Sequence, residues 1–423
     1  MGFLGSVRSV ARFRLPEWNT ARRRLNRSAN IDDLRRMARK RLPRGVFDYI
    51  DGGSEDEVSL ARNQTAFQDL EFHPRVLRRV GEVDPSVDLM GRRIALPFVL
   101  APTGFTRIAH SEGELAVARA ADRAGVPYTL SSLSTRTIEE VRSVSGGDLW
   151  FQVYVWRDKG LLAEILERVA AADYSTIVIT VDTAVLGRRE RDVRRGFTLP
   201  PKLGISTIFD GIVHPGWTWD FLRHEPIRFA NVVGKSVGDG TDPVSLSEFF
   251  ATQFDPWLNW DDISWFRDRW QGKIVIKGVQ SVEDATIAAD VGLDAVGLSN
   301  HGGRQLDGAP PPIELVGPVA DVVGDRIAVI CDGGIRRGSD IVKALALGAS
   351  ACMLGRAYLY GLGAAGERGV DHALGLLSDG VQRTLALCGY PAAEGLERDA
   401  VRWRTAEWSA GGRSDSPSQE PSD

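Results

Sequence analysis

The feature that most limits what this chain can fold into is an eightfold repeat. A short, continuously apolar run stops at polar residues or glycine, and most runs are followed by a segment of helical period. The runs are "FVLAPTG", "PYTLSS", "WFQVYV", "TIVITVDT", "IVIKGV", "AVGLSN", "IAVICDGG" and "ACMLGR". Between them lie stretches such as "EGELAVARAADRAG", "LLAEILERVAAAD", "SVEDATIAADVG" and "GSDIVKALALGA". Runs that are apolar throughout, rather than at alternate positions, predict strands buried on both faces, as in a parallel sheet covered by helices. Eight such units predict an α/β fold that closes into a (β/α)8 TIM barrel. A doubly wound open sheet is the alternative. The first run lacks a GxGxxG turn, and the count of eight favours closure.

In such a barrel the C-terminal strand ends share one face, where chemistry is built. The run endings therefore become candidate site residues: Thr103 and Gly104, Ser131 and Ser132, Gln152 and Tyr154, Thr180 and Asp182, then Lys277, His301 and Arg304, Asp332 and Gly334, and Gly355 and Arg356. The last two loops, "DGGIRRG" and "LGRA", have the composition of a phosphate site. Glycine lets the backbone approach an anion, a helix N-terminus offers N–H groups, and Arg336 and Arg356 supply charge. His301 suits a general base and Asp182 its orienting partner. Arg304, with Arg188 or Arg189, suits a clamp on a carboxylate. Lys277 leaves two readings open: a Schiff-base nucleophile of a lyase, or a cation stabilising negative charge on a reduced flavin.

Composition excludes several other classes. A net charge of −4 argues against a general nucleic-acid binder. Three cysteines (Cys331, Cys352, Cys388) without CxxC spacing indicate neither a disulfide framework nor a metal site, and suit a reducing, cytoplasmic setting. No apolar run approaches the roughly 18 residues of a membrane span, and no long apolar signal segment opens the chain. Residues 1–30 form a basic arm, with Arg8, Arg12, Arg14, Arg22, Arg23, Arg24 and Arg27 against Glu17 alone. That arm is either simply solvated or attracted to an anionic membrane surface. Residues 31–396 are read as the barrel domain, in which 31–96 form an N-terminal cap of short helices and a small hairpin. Residues 197–246 form a long loop after strand four, and 409–423 a disordered tail.

At these residues the chain resembles the FMN-dependent 2-hydroxy-acid dehydrogenases and oxidases. The motif "SNHGGRQLDG" is specific to that group, supported by "FDYIDGGSEDE", "APTGFTRIAHSEGE", "TVDTAVLGRRERDVRRGF", "KGVQSVEDA", "DGGIRRGSDIVKALALGA" and "LGRAYLYGL". The resemblance covers about residues 30 to 390 and implies the same barrel. It further implies that His301 is the catalytic base with Asp182 as partner, and that Arg189 and Arg304 hold the substrate carboxylate. Tyr49 and Tyr154 would bond the carboxylate or hydroxyl. FMN would be lined by Pro102, Thr103, Gly104, Ser131, Gln152 and Thr180, with Lys277 and Ser299 near the ring. Asp332 would meet the ribityl chain, and Gly333, Gly334, Arg336, Gly355 and Arg356 the phosphate.

The implied reaction takes an L-2-hydroxy acid to a 2-oxo acid. "HPGWTWDFL" and "FDPWLNWDDISWFRDRW" resemble bacterial membrane-associated L-lactate dehydrogenases, which implies lactate as substrate, quinone or the respiratory chain as acceptor, peripheral contact of 197–246 with the inner face of the cell membrane, and a homotetramer. Gly104 stands where several oxidases carry alanine, and Leu133 where glycolate oxidase carries tryptophan. An oxygen-using lactate oxidase or monooxygenase is the alternative within the fold, the Lys277 lyase the alternative of another class, and a membrane-bound binding module the alternative without catalysis.

Overall fold

The computed structural model describes residues 20–195, 205–231 and 253–404. Residues 1–19 of the basic arm, the edges of the long loop and the expected tail lie outside the described residues. Eight parallel strands close into a barrel: β1 (Phe98–Leu100), β2 (Tyr128–Ser131), β3 (Leu149–Tyr154), β4 (Thr176–Thr180), β5 (Lys273–Val279), β6 (Ala295–Ser299), β7 (Ala328–Asp332) and β8 (Ala351–Leu354). Each pairs with its neighbours in sequence, and β8 closes on β1 through Leu354 opposite Leu100. Every strand falls within or beside one of the eight runs, and all eight are buried along most of their length. Helices cover the sheet because the strands are apolar on both faces.

Register decides which side chains meet. Tyr154 lies opposite Thr180, Thr180 opposite Lys277, and Asp332 opposite Ser299. The polar ends of β3 to β7 therefore stand at one level above an apolar interior. A register shift in β5 between Lys277 and Val279 sits at Gly278, whose φ is +109°. A Cβ there would lie 2.7 Å from the Cβ of Asp182, so only glycine lets the β4 exit pack this closely on β5.

The cap forms as expected, from helices α1 (Ile31–Arg41) and α2 (Arg44–Asp51) and an antiparallel pair, Val87–Leu89 with Arg92–Ile94. Asn30 caps α1 by accepting from the Asp33 N–H. After β4 the chain forms α3 (Glu190–Arg195), α4 (Ile205–Val213) and α5 (Pro215–Arg223), so the expected loop contains two described helices. Helix α6 (Gly338–Ala346) follows β7, and α7 (Arg356–Ala365) follows β8. The body also extends past residue 396: Val401–Trp403 pairs antiparallel with Leu70–Phe72. The linear pattern gave no sign of that pairing, which joins segments more than 300 residues apart.

Candidate active site

One cleft opens over the C-terminal end of the barrel, with about 1350 Å³ free of protein atoms, part of it at the open mouth. Of the residues expected there, Pro102, Thr103, Gly104, Thr180, Lys277, Asp332, Gly333 and Gly334 line it. So do Arg336, Gly355, Arg356, Tyr49, Tyr154, Arg189, His301 and Arg304. Ser131, Gln152, Ser299 and Asp182 stand behind the lining and act through hydrogen bonds. Of the two arginine candidates after Asp182, Arg189 reaches the cleft, whereas Arg188 is exposed and uses its carbonyl to accept from the Glu55 N–H.

His301 begins a left-handed turn: His301, Gly302 and Gly303 have φ of +58°, +67° and +74°. For a histidine this backbone is costly. Gly303 is required because a Cβ would lie 2.6 Å from the Leu60 nitrogen. The turn is held by the Ser299 hydroxyl, which accepts from the His301 N–H at 3.0 Å. The buried Asn300 accepts from the Gly303 N–H and exchanges two 2.8 Å bonds with Asn63. The imidazole Nδ1 lies 3.0 and 3.2 Å from the two carboxylate oxygens of Asp182. A carboxylate there selects the Nδ1–H tautomer and leaves Nε2 as the basic edge. Burial alone would raise the Asp182 carboxyl, but the charge and hydrogen bond of His301 and the charge of Lys277 outweigh it and hold the group below its ordinary value.

Two guanidiniums face the imidazole's side of the cleft. Arg304 Nη1 donates to the carbonyls of Tyr49 (2.8 Å) and Gly52 (3.0 Å), and its remaining edge has no acceptor among the described residues. Arg189 and Arg304 lie 5.4 and 5.2 Å from the Tyr49 ring centre. Burial, aided by the charges of Arg189 and Arg356, pushes Arg304 down to about 9. It remains cationic at neutral pH, in surroundings that an arriving anion would relieve. Tyr154 packs against Phe254, ring centres 5.0 Å apart. Burial and the nearby Asp182 charge raise its phenol, which stays a hydrogen-bond donor.

Beneath this lies a buried polar chain. Lys277 Nζ is 2.8 Å from Asp332 Oδ2 and 3.0 Å from Ser299 Oγ, and Ser299 also donates to Asp332 at 2.8 Å. Burial would depress Lys277, yet Asp332 and Asp182 together raise it. A Schiff-base nucleophile needs the opposite shift, so the lyase reading of Lys277 loses its chemical basis. Ser131 donates to Gln152 Oε1 at 2.9 Å, and Gln152 Nε2 donates to Thr180 Oγ1 at 3.0 Å.

The Arg356 side chain, on the cleft wall as expected, also has a structural task. It donates to the carbonyls of Ile50, Gly302 and Gly52 at 2.9, 2.8 and 2.7 Å, and so ties the cap to the His301 turn. Gln305 does a similar task that sequence reasoning missed, bonding the Asp182 and Val185 carbonyls and the Gly187 N–H. Asn300 and Gln305 both lie inside the quoted "SNHGGRQLDG". Asn63 carried no sequence signal, because its partner is 237 residues away.

A closed β/α barrel whose strand-end cleft pairs an imidazole–carboxylate couple with two cations, above a buried Lys–Asp pair, defines a class of barrel enzyme suited to proton transfer on a bound anion. The sequence profile of the FMN-dependent dehydrogenases matches residues 38–403, and the chain belongs to that family. It is 47% identical over 394 residues to a putative L-lactate dehydrogenase of Mycobacterium tuberculosis, covering 92% of this chain and 94% of that one. It is 42% identical over 373 residues to the (S)-mandelate dehydrogenase of Pseudomonas putida, covering 88% and 93%. The crystal structure of the monotopic membrane protein (S)-mandelate dehydrogenase superposes with a TM-score of 0.86 at 40% identity, covering 89% of this chain and all of that one.

FMN is therefore the cofactor, and the residues present fit it. Gln152, Ser131, Thr180 and the Lys277–Asp332–Ser299 chain offer donors and acceptors of the kind a flavin ring needs. At Gly355 a Cβ would meet only Ala101, at 3.9 Å. The backbone at the start of α7 thus borders open space, with Arg336 on the same cleft wall.

Proposed function

We propose that this protein oxidises L-lactate to pyruvate and passes the electrons to a quinone or another membrane-borne acceptor. The observation that carries this reading is one imidazole held by Asp182 on its Nδ1 side, with Arg189, Arg304, Tyr49 and Tyr154 lining the same cleft. The open edge of Arg304, together with Arg189, binds the substrate carboxylate. Tyr49 and Tyr154 orient the carboxylate and the 2-hydroxyl. His301 Nε2 takes a proton as the substrate becomes a 2-oxo acid, and Asp182 stabilises the imidazolium that results. FMN, when bound, would take up the two electrons and the second proton that the substrate loses. Ser131, Gln152, Thr180, Lys277, Ser299 and Asp332 would hold its ring and ribityl chain, and Gly333, Gly334, Arg336, Gly355 and the α7 N-terminus its phosphate. Leu133, Phe105, Phe254 and Leu186, which also line the cleft, keep water from the reacting centre.

Lactate is favoured over glycolate by the apolar wall at Leu133 and by the names of several relatives. A dehydrogenase is favoured over an oxidase by Gly104, where an alanine Cβ would press on Leu133 at 3.1 Å. Anaerobic mixing with L-lactate, D-lactate, glycolate and (S)-mandelate tests the substrate. L-lactate should bleach the flavin band with the highest second-order rate, and faster bleaching by mandelate would sink the lactate reading. Turnover with a quinone analogue should exceed turnover with oxygen; the reverse would favour the oxidase.

A membrane-borne acceptor suits the outer faces of α4 and α5. Phe209, Ile212 and Val213, spaced i, i+3, i+4, and Trp219 with Leu222 are all exposed. Trp217 on the inner side donates to the carbonyl of Ile108, a residue of the cleft wall. No helix among the described residues is long and apolar enough to cross a membrane. Peripheral attachment through this face is part of the same proposal.

A further inference from the structure

Helix α2 ends in a carboxylate that the chemistry above does not use. Asp51 lies in the last turn, where the helix dipole already presents partial negative charge and an acid is disfavoured. It is nonetheless buried, at 4% exposure. A buried carboxylate at that end of a helix persists only with strong partners, and this one has three. Arg35 of α1 donates Nε and Nη2 at 2.5 and 2.8 Å. Arg191 of α3 donates Nη1 at 3.1 Å. The Tyr360 hydroxyl of α7 donates at 2.7 Å. For stability alone, apolar packing among these helices would serve as well. What an ionic hub adds is direction.

The direction matters because the same helix end carries the substrate clamp. The carbonyls of Tyr49 and Gly52, on either side of Asp51, accept from Arg304, and those of Ile50 and Gly52 accept from Arg356. These are last-turn carbonyls that the helix itself cannot satisfy. On the other flank, Arg191 follows Arg189 by two residues. The carbonyl of Arg189 accepts from the N–H groups of Asp192 and Val193 at the start of α3, and the Arg189 Nε lies 3.7 Å from the Asp192 carboxylate, so anchoring α3 through Arg191 sets both the backbone and the side chain of Arg189. Arg191 also binds Glu57, whose other oxygen accepts from the Gly53 N–H. Both cations of the clamp, and Tyr49 between them, thus hang from elements that meet at Asp51.

We propose that Asp51 is a positioning residue for substrate binding: its carboxylate gathers α1, α3 and α7 around the end of α2 and so sets the pose of Tyr49, Arg189 and Arg304. This rests on the reading of Arg189 and Arg304 as the carboxylate clamp. Asp51 touches neither substrate nor cofactor, and its removal acts through misplacement of groups that do.

The test uses FMN-loaded protein. Wild type, Asp51→Asn, Arg191→Gln, Arg189→Lys and the double variant Asp51→Asn/Arg191→Gln are compared for flavin content, KM for L-lactate, limiting rate of anaerobic flavin reduction, and dissociation constant for oxalate, a carboxylate that cannot be oxidised. In Asp51→Asn the KM and the oxalate constant should rise about tenfold, with flavin content unchanged and the limiting rate within about threefold of wild type. Arg191→Gln should do the same in smaller measure, and the double variant should be little worse than Asp51→Asn, since both cut one connection. If Asp51→Asn lowers thermal stability but leaves KM and oxalate binding unchanged while Arg189→Lys weakens both, the positioning role is overturned and the clamp stands. If Arg189→Lys also leaves both unchanged, the clamp reading fails and the inference falls with it. Should Asp51→Asn yield no soluble holoprotein, Tyr360→Phe and Arg191→Gln each remove one spoke, and the same two binding measurements decide.

Discussion

His301 sits in a left-handed backbone conformation that a histidine rarely adopts, and its neighbours explain why it stays there. Ser299 holds its N–H, Asn300 holds the turn, and Asp182 holds its ring. Replacing His301 with alanine should leave FMN bound and slow flavin reduction by about 10²–10⁴-fold, the usual worth of a positioned base; stopped-flow absorbance checks it. Asp182→Asn should slow the same step by about 100-fold or more, by offering the imidazole an amide in place of a charge. Because His301 and Lys277 hold the Asp182 carboxyl low, it is ionised throughout the neutral range, and the wild-type rate should show no titration of this carboxyl there. Asn63→Ala should cost about 1–3 kcal/mol of stability by removing two hydrogen bonds of the buried Asn300 amide, which keeps those to the Gly303 N–H and the Pro310 carbonyl, read by denaturant unfolding. The chemistry-bearing residues were legible because His301, Arg304 and Asp182 lie in short motifs at strand ends. Asn63 was not, since nothing near it in sequence shows its partner. The glycine-rich context of Arg356 points to a phosphate ligand but gives no sign of its bonds to the three distant carbonyls of Ile50, Gly52 and Gly302.

At the scale of elements, continuous apolar runs located all eight strands because burial on both faces leaves no polar alternation to confuse them. The region after β4 was harder. Its helices α4 and α5 keep aromatic and aliphatic residues on the outside, so hydrophobic period points away from the core as much as toward it. Phe209→Glu with Leu222→Glu should abolish sedimentation with anionic lipid vesicles and leave turnover with a soluble dye acceptor unchanged; vesicle binding that survives both changes would remove this face from the account. The hub at the end of α2 makes a pH prediction. Arg35, Tyr360 and Arg356 outweigh burial and lower Asp51 from 3.8 to about 2. A carboxyl lowered on folding stabilises the native state above its unfolded value and loses that contribution as pH falls through the folded one. Wild type should therefore exceed Asp51→Asn in stability by on the order of 1–2 kcal/mol near neutrality, a margin that closes between about pH 4 and pH 2; urea titrations across that range measure it.

For the whole molecule, the barrel brings the β7 and β8 exits, proposed to hold the FMN phosphate, and the β4 and β6 exits, proposed to hold the substrate carboxylate, onto a single cleft. This arrangement was legible from the count of strands and the rule that their C-terminal ends converge. The closing pair formed by Leu70–Phe72 and Val401–Trp403 was not, because long-range pairing of three-residue strands leaves almost no pattern. Binding of FMN to the folded state alone should stabilise the apoprotein by about 2.7 kcal/mol at a hundredfold excess over its dissociation constant, and Arg336→Gln should shrink that gain by weakening the phosphate site. The most direct test of the central claim is anaerobic flavin reduction by L-lactate, followed at the flavin band in wild type and His301→Gln side by side. The account predicts a yellow wild type that bleaches rapidly and an equally yellow variant that bleaches at least about 100-fold more slowly. A variant that bleaches at the wild-type rate, or a wild type that L-lactate does not bleach, would contradict it.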